Sequence, residues 1–219
     1  MRRMKNRGQL IVISGPSGCG KGSVIEKLLE NTNLNLWLSL STTSRQIRDN
    51  DIPGKTYNFV TKEEFEKKIE EDYFLEYAEY SGNYYGTPKS TIEEKLENGI
   101  DVILEIEIQG ALKIKEIRKD ALFIFILPPS MRELKRRLEG RNTETKEKIL
   151  KRFKTAYREI NEVSKYNYVV INDEMEEASK KINSIIEAEK CRVDRIEETY
   201  LNSLEEEIHE ILLEDNETI

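Results

Sequence analysis

The chain has 219 residues, of which 35% are charged, and its formal net charge at pH 7 is -7. This length allows one large domain, or one domain with insertions, whose core needs no disulfides. The negative charge argues against general affinity for nucleic acids or anionic membranes, so an anionic ligand needs a local cluster of cations. The two cysteines, Cys19 and Cys191, fit neither a disulfide framework nor a zinc site, which indicates a reducing cytoplasm.

A buried strand, a glycine-rich turn and a helix are predicted at the start of the chain. "QLIVIS" (9–14) is a short β-branched run that enters Gly15-Pro16, and "KGSVIEKLLE" (21–30) has the apolar spacing of a helix. Basic residues precede the strand, as in a signal peptide, but the apolar run at 10–13 is too short for one. Strand, loop and helix in this order are the context in which a phosphate-binding loop occurs.

Most of the remaining chain alternates strands with helices. Buried strands are predicted at 101–108, 121–127 and 166–172, and each is far shorter than a membrane span. Helical patterns are found at 130–140, 145–165 and 174–190. This alternation predicts an α/β fold, with a parallel sheet and helices on both of its faces.

Residues 41–96 interrupt the alternation and are predicted to form an inserted small α/β lobe. They are rich in tyrosine, phenylalanine and glycine, and short extended pieces surround a predicted helix, "KEEFEKKIEE" (62–71). We find neither an internal repeat nor a low-complexity linker in the sequence.

Beyond residue 190, apolar residues recur at steps of three and four, which predicts an amphipathic C-terminal helix. The stripe consists of Val193, Ile196, Tyr200, Leu204, Ile208 and Ile211. Two interpretations stay open: the helix docks on its own domain, or it pairs with a partner or a second copy, since the stripe resembles a short coiled-coil seam. The single histidine, His209, is predicted to be an exposed residue of this helix.

The stretch "GPSGCGKGS" (15–23) has the pattern of a phosphate-binding loop with one residue displaced. The general pattern places a Ser or Thr directly after the lysine, but here Gly22 follows Lys21 and the hydroxyl comes at Ser23. Backbone amides of such a loop, with the helix N-terminus, cradle phosphate oxygens, and Lys21 should reach the β- and γ-phosphates. Cys19 is interpreted as a filler residue, with reactivity from a low pKa as the alternative.

Eight stretches in family order make the chain resemble the guanylate kinase family. They are "GPSGCGKGS" (15–23), "SLSTTSRQIR" (39–48), "YNFVTKEEF" (57–65), "FLEYAEYSGNYYGTP" (74–88), "LEIEIQGA" (104–111), "FILPPS" (125–130), "RLEGRNTETKEKI" (137–149) and "YVVINDE" (168–174). The resemblance covers roughly residues 9–190, and "GNYYGTP" beside "STTSRQIR" is much more specific than the loop alone. The G-K-G-[ST] form of the loop is used by many nucleoside-monophosphate kinases, in which phosphates, waters and a distant carboxylate hold magnesium.

The resemblance implies a P-loop NTPase-type fold and the reaction ATP + GMP → ADP + GDP, with dGMP as a further acceptor and Mg²⁺ bound with ATP. It also implies a layout of core, GMP-binding lobe, helical lid and tail. The core comprises residues 1–40, 97–133 and 158–190, the lobe 41–96, the lid 134–157 and the tail 191–219. ATP and GMP are the expected partners, without nucleic acid or membrane, and the protein is expected to be a cytoplasmic monomer or homodimer, with the tail helix as a candidate for self-association.

The expected guanine reader is Glu76, since a carboxylate accepts both the N1–H and the N2–H donors of guanine and repels the N1 acceptor of adenine. The resemblance supplies hydroxyls for the base pocket, and arginines and tyrosines for the acceptor phosphate. The implied GMP-binding residues are Ser41, Arg45, Arg48, Tyr57, Glu76, Tyr85, Thr87 and Glu107. The implied ATP-binding residues are Gly15, Pro16, Ser17, Gly18, Cys19, Gly20, Lys21, Gly22, Ser23 and Asn172.

Catalysis is expected to need cations and no general base, because the nucleophile is a phosphate oxygen with a second pKa of about 6. The charge of the transferred group is neutralised by positioned cations. The implied catalytic residues are Lys21, Arg45, Arg137, Arg141 and Arg152. Metal contacts are assigned to Ser23 and, indirectly, to Glu107.

Three departures from the family pattern affect the expected rate rather than the reaction. Glu107 stands where the family usually has Asp, residues 48–57 alter the acidic residues of a loop, and Asn142 replaces a lid glycine.

Two other functions are alternatives: a non-catalytic peptide-binding scaffold of guanylate-kinase type, and a kinase for another monophosphate such as AMP or dTMP. The first typically lacks phosphate-site residues that this chain retains, and the second lacks "STTSRQIR" and "GNYYGTP".

Overall fold

The computed structural model describes residues 7–31, 33–48, 51–80, 82–140 and 146–196, together with residues 209 and 212. The strands, in chain order, are β1 (Leu10–Ser14), β2 (Leu36–Leu38), β3 (Thr42–Thr43), β4 (Asn58–Phe59), β5 (Phe74–Tyr80), β6 (Asn83–Pro88), β7 (Asp101–Glu105), β8 (Leu122–Leu127) and β9 (Tyr168–Ile171). The helices are α1 (Lys21–Leu29), α2 (Lys62–Glu70), α3 (Lys89–Glu97), α4 (Ile108–Ile117), α5 (Met131–Glu139), α6 (Lys146–Ile160), α7 (Met175–Glu189) and α8 (Val193–Ile196), with a short 3₁₀ turn at Val163–Lys165.

A parallel sheet of five strands, in the order β2-β7-β1-β8-β9, forms the centre of the molecule. In the central strand β1, Ile13 is paired with Glu105 of β7 on one side and with Ile124 of β8 on the other. Every residue of β1 is buried, as expected for a parallel sheet with both faces covered. The predicted α/β fold with a parallel sheet is therefore confirmed.

The two faces of the sheet support separate hydrophobic clusters. Ile11 and Ile13 pack on the side of α1 and α7, whereas Leu10 and Val12 pack on the side of α3 and α4. This follows from the alternation of side chains along a strand. Since Ile92 of α3 belongs to the second cluster, we propose that the lobe ends near Pro88 and that α3 is part of the core.

The segment predicted as one strand at 101–108 has two parts. The strand β7 ends at Glu105, Glu107 is the extended residue before α4, and α4 begins at Ile108. Acidic and apolar residues alternate here as they do in a strand, but Ile106 is buried in the turn and Ile108 is buried as the first residue of α4. Neither β2, α3 nor α4 was predicted from the sequence.

The lobe contains a second, mixed sheet in the order β4-β3-β6-β5, covered by α2. A capping box between Thr61 and Glu64 starts α2. The fully buried Phe65 of this helix stacks on Phe74 and Tyr84, with ring centroids 4.4 and 5.2 Å apart. Helix α4 contacts both β1 of the central sheet and β5 of the lobe, so it joins the two sheets.

Helices α5 and α6 pack together through a small cluster of Leu134, Leu138 and Ala156. Residues 141–145, and with them Arg141 and Asn142, lie outside the described residues. Most of the predicted C-terminal stripe also lies outside them, and its first residue, Val193, is 72% exposed. The exposure predicted for His209 is confirmed. The described helices include none with the length and apolarity to cross a membrane.

Candidate functional site

One cleft of about 830 Å³ opens between the carboxyl ends of the central strands and the lobe. The phosphate loop's lysine and residues of the lobe line the same cavity. The predicted site residues found on its wall are Lys21, Ser41, Arg45, Arg48, Tyr57, Glu76, Tyr85 and Glu107. Residues far apart in the sequence are thus brought together at the edge where parallel-sheet proteins bind ligands.

The loop between β1 and α1 has the backbone of an anion cradle. Gly18 and Gly20 have φ of 91° and 88°, which favours glycine, and Gly20 immediately precedes the first residue of α1. A Cβ on Gly15 would stand 2.3 Å from the carbonyl oxygen of Ile126, so only glycine fits there. The Nζ of Lys21 donates to the carbonyl of Gly15 at 2.7 Å and thus lies over the loop.

The back of the loop is braced by buried groups. The carbonyl of Cys19 accepts from Nδ2 of Asn172 at 2.8 Å and from Nη1 of Arg137 at 3.2 Å. The Cys19 thiol packs in the core, and burial raises its pKa although Lys21 opposes the effect. This supports the filler interpretation of Cys19. For Asn172, which is buried, we propose a role in bracing the loop in place of the expected contact with adenine.

Charged groups of helices α5 and α6 also contact the loop or one another. Nη2 of Arg152 donates to Oγ of Ser17 at 2.7 Å, and the Ser17 amide donates to Oε2 of Glu159 at 3.4 Å. Nε of Arg137 donates to Oε1 of Glu133 at 2.8 Å. Burial, and then the negative charge of Glu107, raises the pKa of Glu159. Two expected lid arginines, Arg137 and Arg152, therefore lie at the loop.

Two carboxylates, Glu105 and Glu107, line the same cleft as Lys21. Burial raises the pKa of Glu105, and so does the charge of Glu107, whereas Lys21 lowers it. A Cβ on Gly22 would stand 3.9 Å from Oε1 of Glu105, so this carboxylate lies beside the position where the usual loop has its hydroxyl. Ser23, in contrast, is exposed on α1 and is not among the described residues that line the cleft.

Several neighbouring groups fix the position of Arg45, the arginine that is expected to bind the acceptor phosphate. Nη1 and Nη2 of Arg45 donate to the two carboxylate oxygens of Asp51 at 2.8 and 3.1 Å, and Nη1 also donates to the carbonyl of Gln46. The guanidinium lies over the rings of Tyr57 and Phe59, 5.3 and 5.5 Å from their centroids. If only hydrogen bonds between described residues are counted, the Nε–H and one Nη2–H of Arg45 can still donate to a ligand.

The Asp51 carboxylate also organises the neighbouring chain. It accepts the backbone N–H of Arg48 at 2.7 Å, while the Arg48 side chain is exposed at the cleft. The bond from Arg45, with that from the Arg48 amide, lowers the pKa of Asp51. Burial, followed by the neighbouring Tyr85, raises the pKa of Tyr57.

The expected guanine reader, Glu76, is only 9% exposed and lies on β5 of the lobe. Oγ1 of Thr87 donates to its Oε1 at 2.7 Å. Burial raises the pKa of Glu76, while the Thr87 bond and the positive charge of Lys113 lower it. A buried carboxylate that faces a cleft and has a single described hydrogen-bond partner can accept further donors from a ligand.

Several groups at this site were not predicted from the sequence. Asp51 lies in the stretch that departs from the family pattern, and that departure was its only signal. Glu159 is one of many acidic residues on an amphipathic helix, so no local pattern distinguishes it. The buried hydroxyl of Ser39 also lines the cleft, and it has no hydrogen-bond partner among the residues described.

Comparisons with known proteins agree with this geometry. The family model described as guanylate kinase matches residues 7–189. The guanylate kinase of Clostridium tetani is 61% identical over 206 residues, which span 94% of this chain and 98% of that protein. The one of Lactococcus lactis is 48% identical over 203 residues, 93% of this chain and 98% of that protein. The crystal structure of guanylate kinase from Anaplasma phagocytophilum superposes with a TM-score of 0.73 at 36% identity, covering 88% of this chain and 91% of that one.

Proposed function

This chain belongs to the guanylate kinase family and is an ATP:GMP phosphotransferase, and we propose that its cleft holds ATP at the phosphate loop and GMP against the lobe, end to end. The observation that carries the proposal is a single cleft of about 830 Å³ that both the loop lysine, Lys21, and the lobe residues Arg45 and Glu76 line. A volume near the upper end of the usual range for ligand pockets suits a nucleotide whose phosphate reaches Lys21 at the loop.

On the ATP side, the loop amides and Lys21 bind the β- and γ-phosphates. The α1 N-terminus adds its dipole to the amides of residues 15–23. Arg137 and Arg152 contact the loop at the Cys19 carbonyl and the Ser17 hydroxyl, which supports a role in neutralising the negative charge that builds on the transferred group. For Arg141, which lies outside the described residues, the family position supports the same role.

On the GMP side, Glu76 reads the base. Its carboxylate accepts N1–H and N2–H of guanine, and the Thr87 hydroxyl holds one of its oxygens in place. Ser41, on the cleft wall, supplies a further hydroxyl to the base pocket. Adenine offers an acceptor at the same position, so binding AMP would leave the buried carboxylate unpaired. GMP and dGMP share the guanine base, and we propose that both are acceptors.

The acceptor phosphate binds to Arg45 and Arg48. The remaining donors of Arg45 form one edge of a guanidinium, which suits two phosphate oxygens. Tyr57 and Tyr85 face the same cavity, with ring centroids 6.0 Å apart, and supply phenolic O–H donors. An oxygen of this phosphate then attacks the γ-phosphorus of ATP, and the bond from the γ-phosphorus to the bridging oxygen breaks as ADP leaves. Positioning and charge neutralisation supply the catalysis, since the attacking oxygen is already ionised at neutral pH.

The family generally uses magnesium with ATP, and the residues here fit a metal held mostly by its nucleotide. Burial, and also the negative charge of Glu107, raises the pKa of Glu105, and a divalent cation near the two carboxylates would relieve their repulsion. In the described part of the chain we find no group of three His, Cys, Asp or Glu side chains that could hold a metal ion, so a bound ion would also need oxygens from phosphates and waters. When bound, the ion supplies neutralisation of the phosphate charge. We propose Glu105 and Glu107 as its water-mediated partners, with Ser23 in a lesser role.

A coupled assay of ADP release tests the function. MgATP is supplied with GMP, dGMP, AMP or UMP in turn, and turnover is expected with the guanine nucleotides alone. Absence of ADP release with GMP contradicts the phosphotransferase assignment, whereas a preference for AMP contradicts the base assignment alone. A structure with both nucleotides bound locates the guanine, which is expected at Glu76.

The cell compartment and the role of the tail are separate proposals. We propose a cytoplasmic location, supported by two cysteines that form no disulfide. The mass in solution, measured with and without residues 191–219, separates a tail docked on its own domain from one that joins two copies. A mass that halves on truncation supports pairing between copies, and an unchanged monomer mass supports docking.

A further inference from the structure

The first turn of helix α4 lies directly against the Glu76 carboxylate. Gly110 is the third residue of α4, and a Cβ placed on it would stand 2.8 Å from Oε2, 3.2 Å from Cδ and 3.4 Å from Oε1 of Glu76. The first of these distances is shorter than carbon–oxygen contacts in proteins. A residue with a side chain therefore cannot occupy position 110 while Glu76 keeps its place.

The backbone itself does not require glycine at this position. Gly110 lies within a regular helix, and it is not among the described glycines with positive φ. Glycine is among the least favourable residues in a helix, and alanine is the most favourable. The glycine is explained by the close approach of Glu76 and not by the fold of the helix.

We propose that Gly110 is a specificity-determining residue of the guanine site, because its missing side chain is the space in which the base-reading carboxylate of Glu76 stands. This inference rests on the proposed role of Glu76 as the guanine reader.

The other contacts of Glu76 fix the direction in which a side chain at position 110 would push it. Thr87 holds Oε1, and Oε2 is the oxygen nearest to Gly110. A methyl group at 110 therefore displaces the carboxylate and disturbs the bond to Thr87. Lys113, one turn further along α4, lowers the pKa of Glu76 and opposes the effect of burial, so the same helix also favours the ionised form.

The substitution Gly110→Ala tests the proposal, with GMP and IMP as acceptors and MgATP as donor. IMP has the N1–H but lacks the 2-amino group, so it depends on fewer contacts with the carboxylate. We expect kcat/KM to fall about 100-fold for GMP and less than 10-fold for IMP, mainly through KM, with KM for ATP unchanged within 2-fold. Glu116→Ala, an exposed position on the same helix, is the control and should leave both acceptors within 2-fold of the parent.

A second comparison separates this role from simple damage to the helix. In a Glu76→Asp background the carboxylate is one methylene shorter and withdraws from position 110. There, Gly110→Ala should change kcat/KM for GMP by less than 3-fold, so the two substitutions are strongly non-additive. Circular dichroism should show a folded protein in every case, since alanine suits the helix.

Three results would overturn the inference: a loss for GMP below 3-fold, equal losses for GMP and IMP, or the same loss in the Glu76→Asp background. Failure of the underlying site assignment looks different. In that case Glu76→Gln itself leaves GMP turnover unchanged, and the inference falls together with the role of Glu76.

Discussion

The substitution Glu76→Gln tests the guanine site most directly, since it changes one atom of a buried side chain and preserves its shape. Glu76 is 9% exposed and one of its oxygens already accepts from Thr87 at 2.7 Å. A glutamine amide has a single oxygen. Whichever way it turns, it cannot offer guanine the two acceptors of a carboxylate, and its NH₂ meets either the base or the Thr87 hydroxyl.

The expected loss follows from that count. One hydrogen bond to a charged acceptor is removed, which is about 1.5–3 kcal/mol, and a buried donor of guanine left unpaired costs about 1–3 kcal/mol. The two terms overlap, so we expect about 3–4 kcal/mol in all. At about 1.4 kcal/mol per factor of ten, kcat/KM for GMP should fall about 10²- to 10³-fold. The ratio of GMP to AMP turnover should fall with it, since an amide can also donate to N1 of adenine.

The same substitution should stabilise the fold at neutral pH. Burial raises the pKa of Glu76, so between its unfolded and folded pKa values the native state holds more protons than the unfolded state, and its stability falls as the pH rises. Glutamine carries no such penalty. The melting temperature of the variant should therefore exceed that of the parent at pH 8, and the difference should vanish below the ordinary pKa of glutamate, 4.5.

Steady-state kinetics with GMP and AMP, together with thermal unfolding at pH 8 and pH 4, measure both effects. Loss of activity with gain of stability identifies a residue retained for binding. If kcat/KM for GMP stays within 3-fold of the parent, the reasoning about the guanine site is wrong.

Three further predictions concern the phosphate loop, helix α5 and the two cysteines. Lys21→Met should lower turnover by about 10²- to 10³-fold or more while circular dichroism stays unchanged, since a donor to the transferring phosphoryl group is lost; retained activity would show that the loop does not bind ATP. The bonds from Arg136 and Arg137 lower the pKa of Glu133 to about 2, so its contribution to stability is present above the ordinary value of 4.5 and is lost as the pH falls towards 2. Urea unfolding of Glu133→Gln and the parent should differ at pH 6 and converge at pH 2, and a constant difference would refute the lowered pKa. In the native protein at pH 7.5 a thiol reagent should modify the exposed Cys191 and spare Cys19, whose pKa is raised by burial; rapid labelling of both would contradict that environment.

The elements that were predicted correctly are those that a short stretch of neighbouring residues specifies. The strand β1, the glycine loop and α1 follow one another within twenty residues, and α2 begins at its own capping box. The start of α4 was missed because acidic and apolar residues alternate at positions 105–108, as they do in a strand. In the structure Ile106 is buried in a turn and Ile108 is buried at the start of the helix. Only the packing of the turn against the sheet distinguishes the two, and that is not a property of a short window.

In the candidate site, too, some residues could be predicted from short sequence motifs and others only from the folded structure. Its motif residues, from Lys21 to Glu76, were placed by their resemblance to family positions and lie on one cleft. Thr87, which holds Glu76, was also predicted, but other supporting residues such as Asp51 and Gly110 were not, because their partners are distant in sequence or their surroundings are ordinary. Gly110 is close to Glu76 only through the fold, since 34 positions separate them in the chain numbering. Asp51 could have been any acidic loop residue until its carboxylate was seen to meet Arg45.

The pairing of Arg45 with Asp51 has a consequence for the thermodynamics of GMP binding. An arginine side chain normally loses about 2 kcal/mol of rotamer entropy when a ligand immobilises it. Here a carboxylate and two aromatic rings already fix the Arg45 guanidinium in the protein without nucleotide. The rotamer entropy of Arg45 is therefore lost when the protein folds and not when GMP binds. The incoming phosphate meets a rigid receptor, and more of its attraction to the cation is realised as affinity.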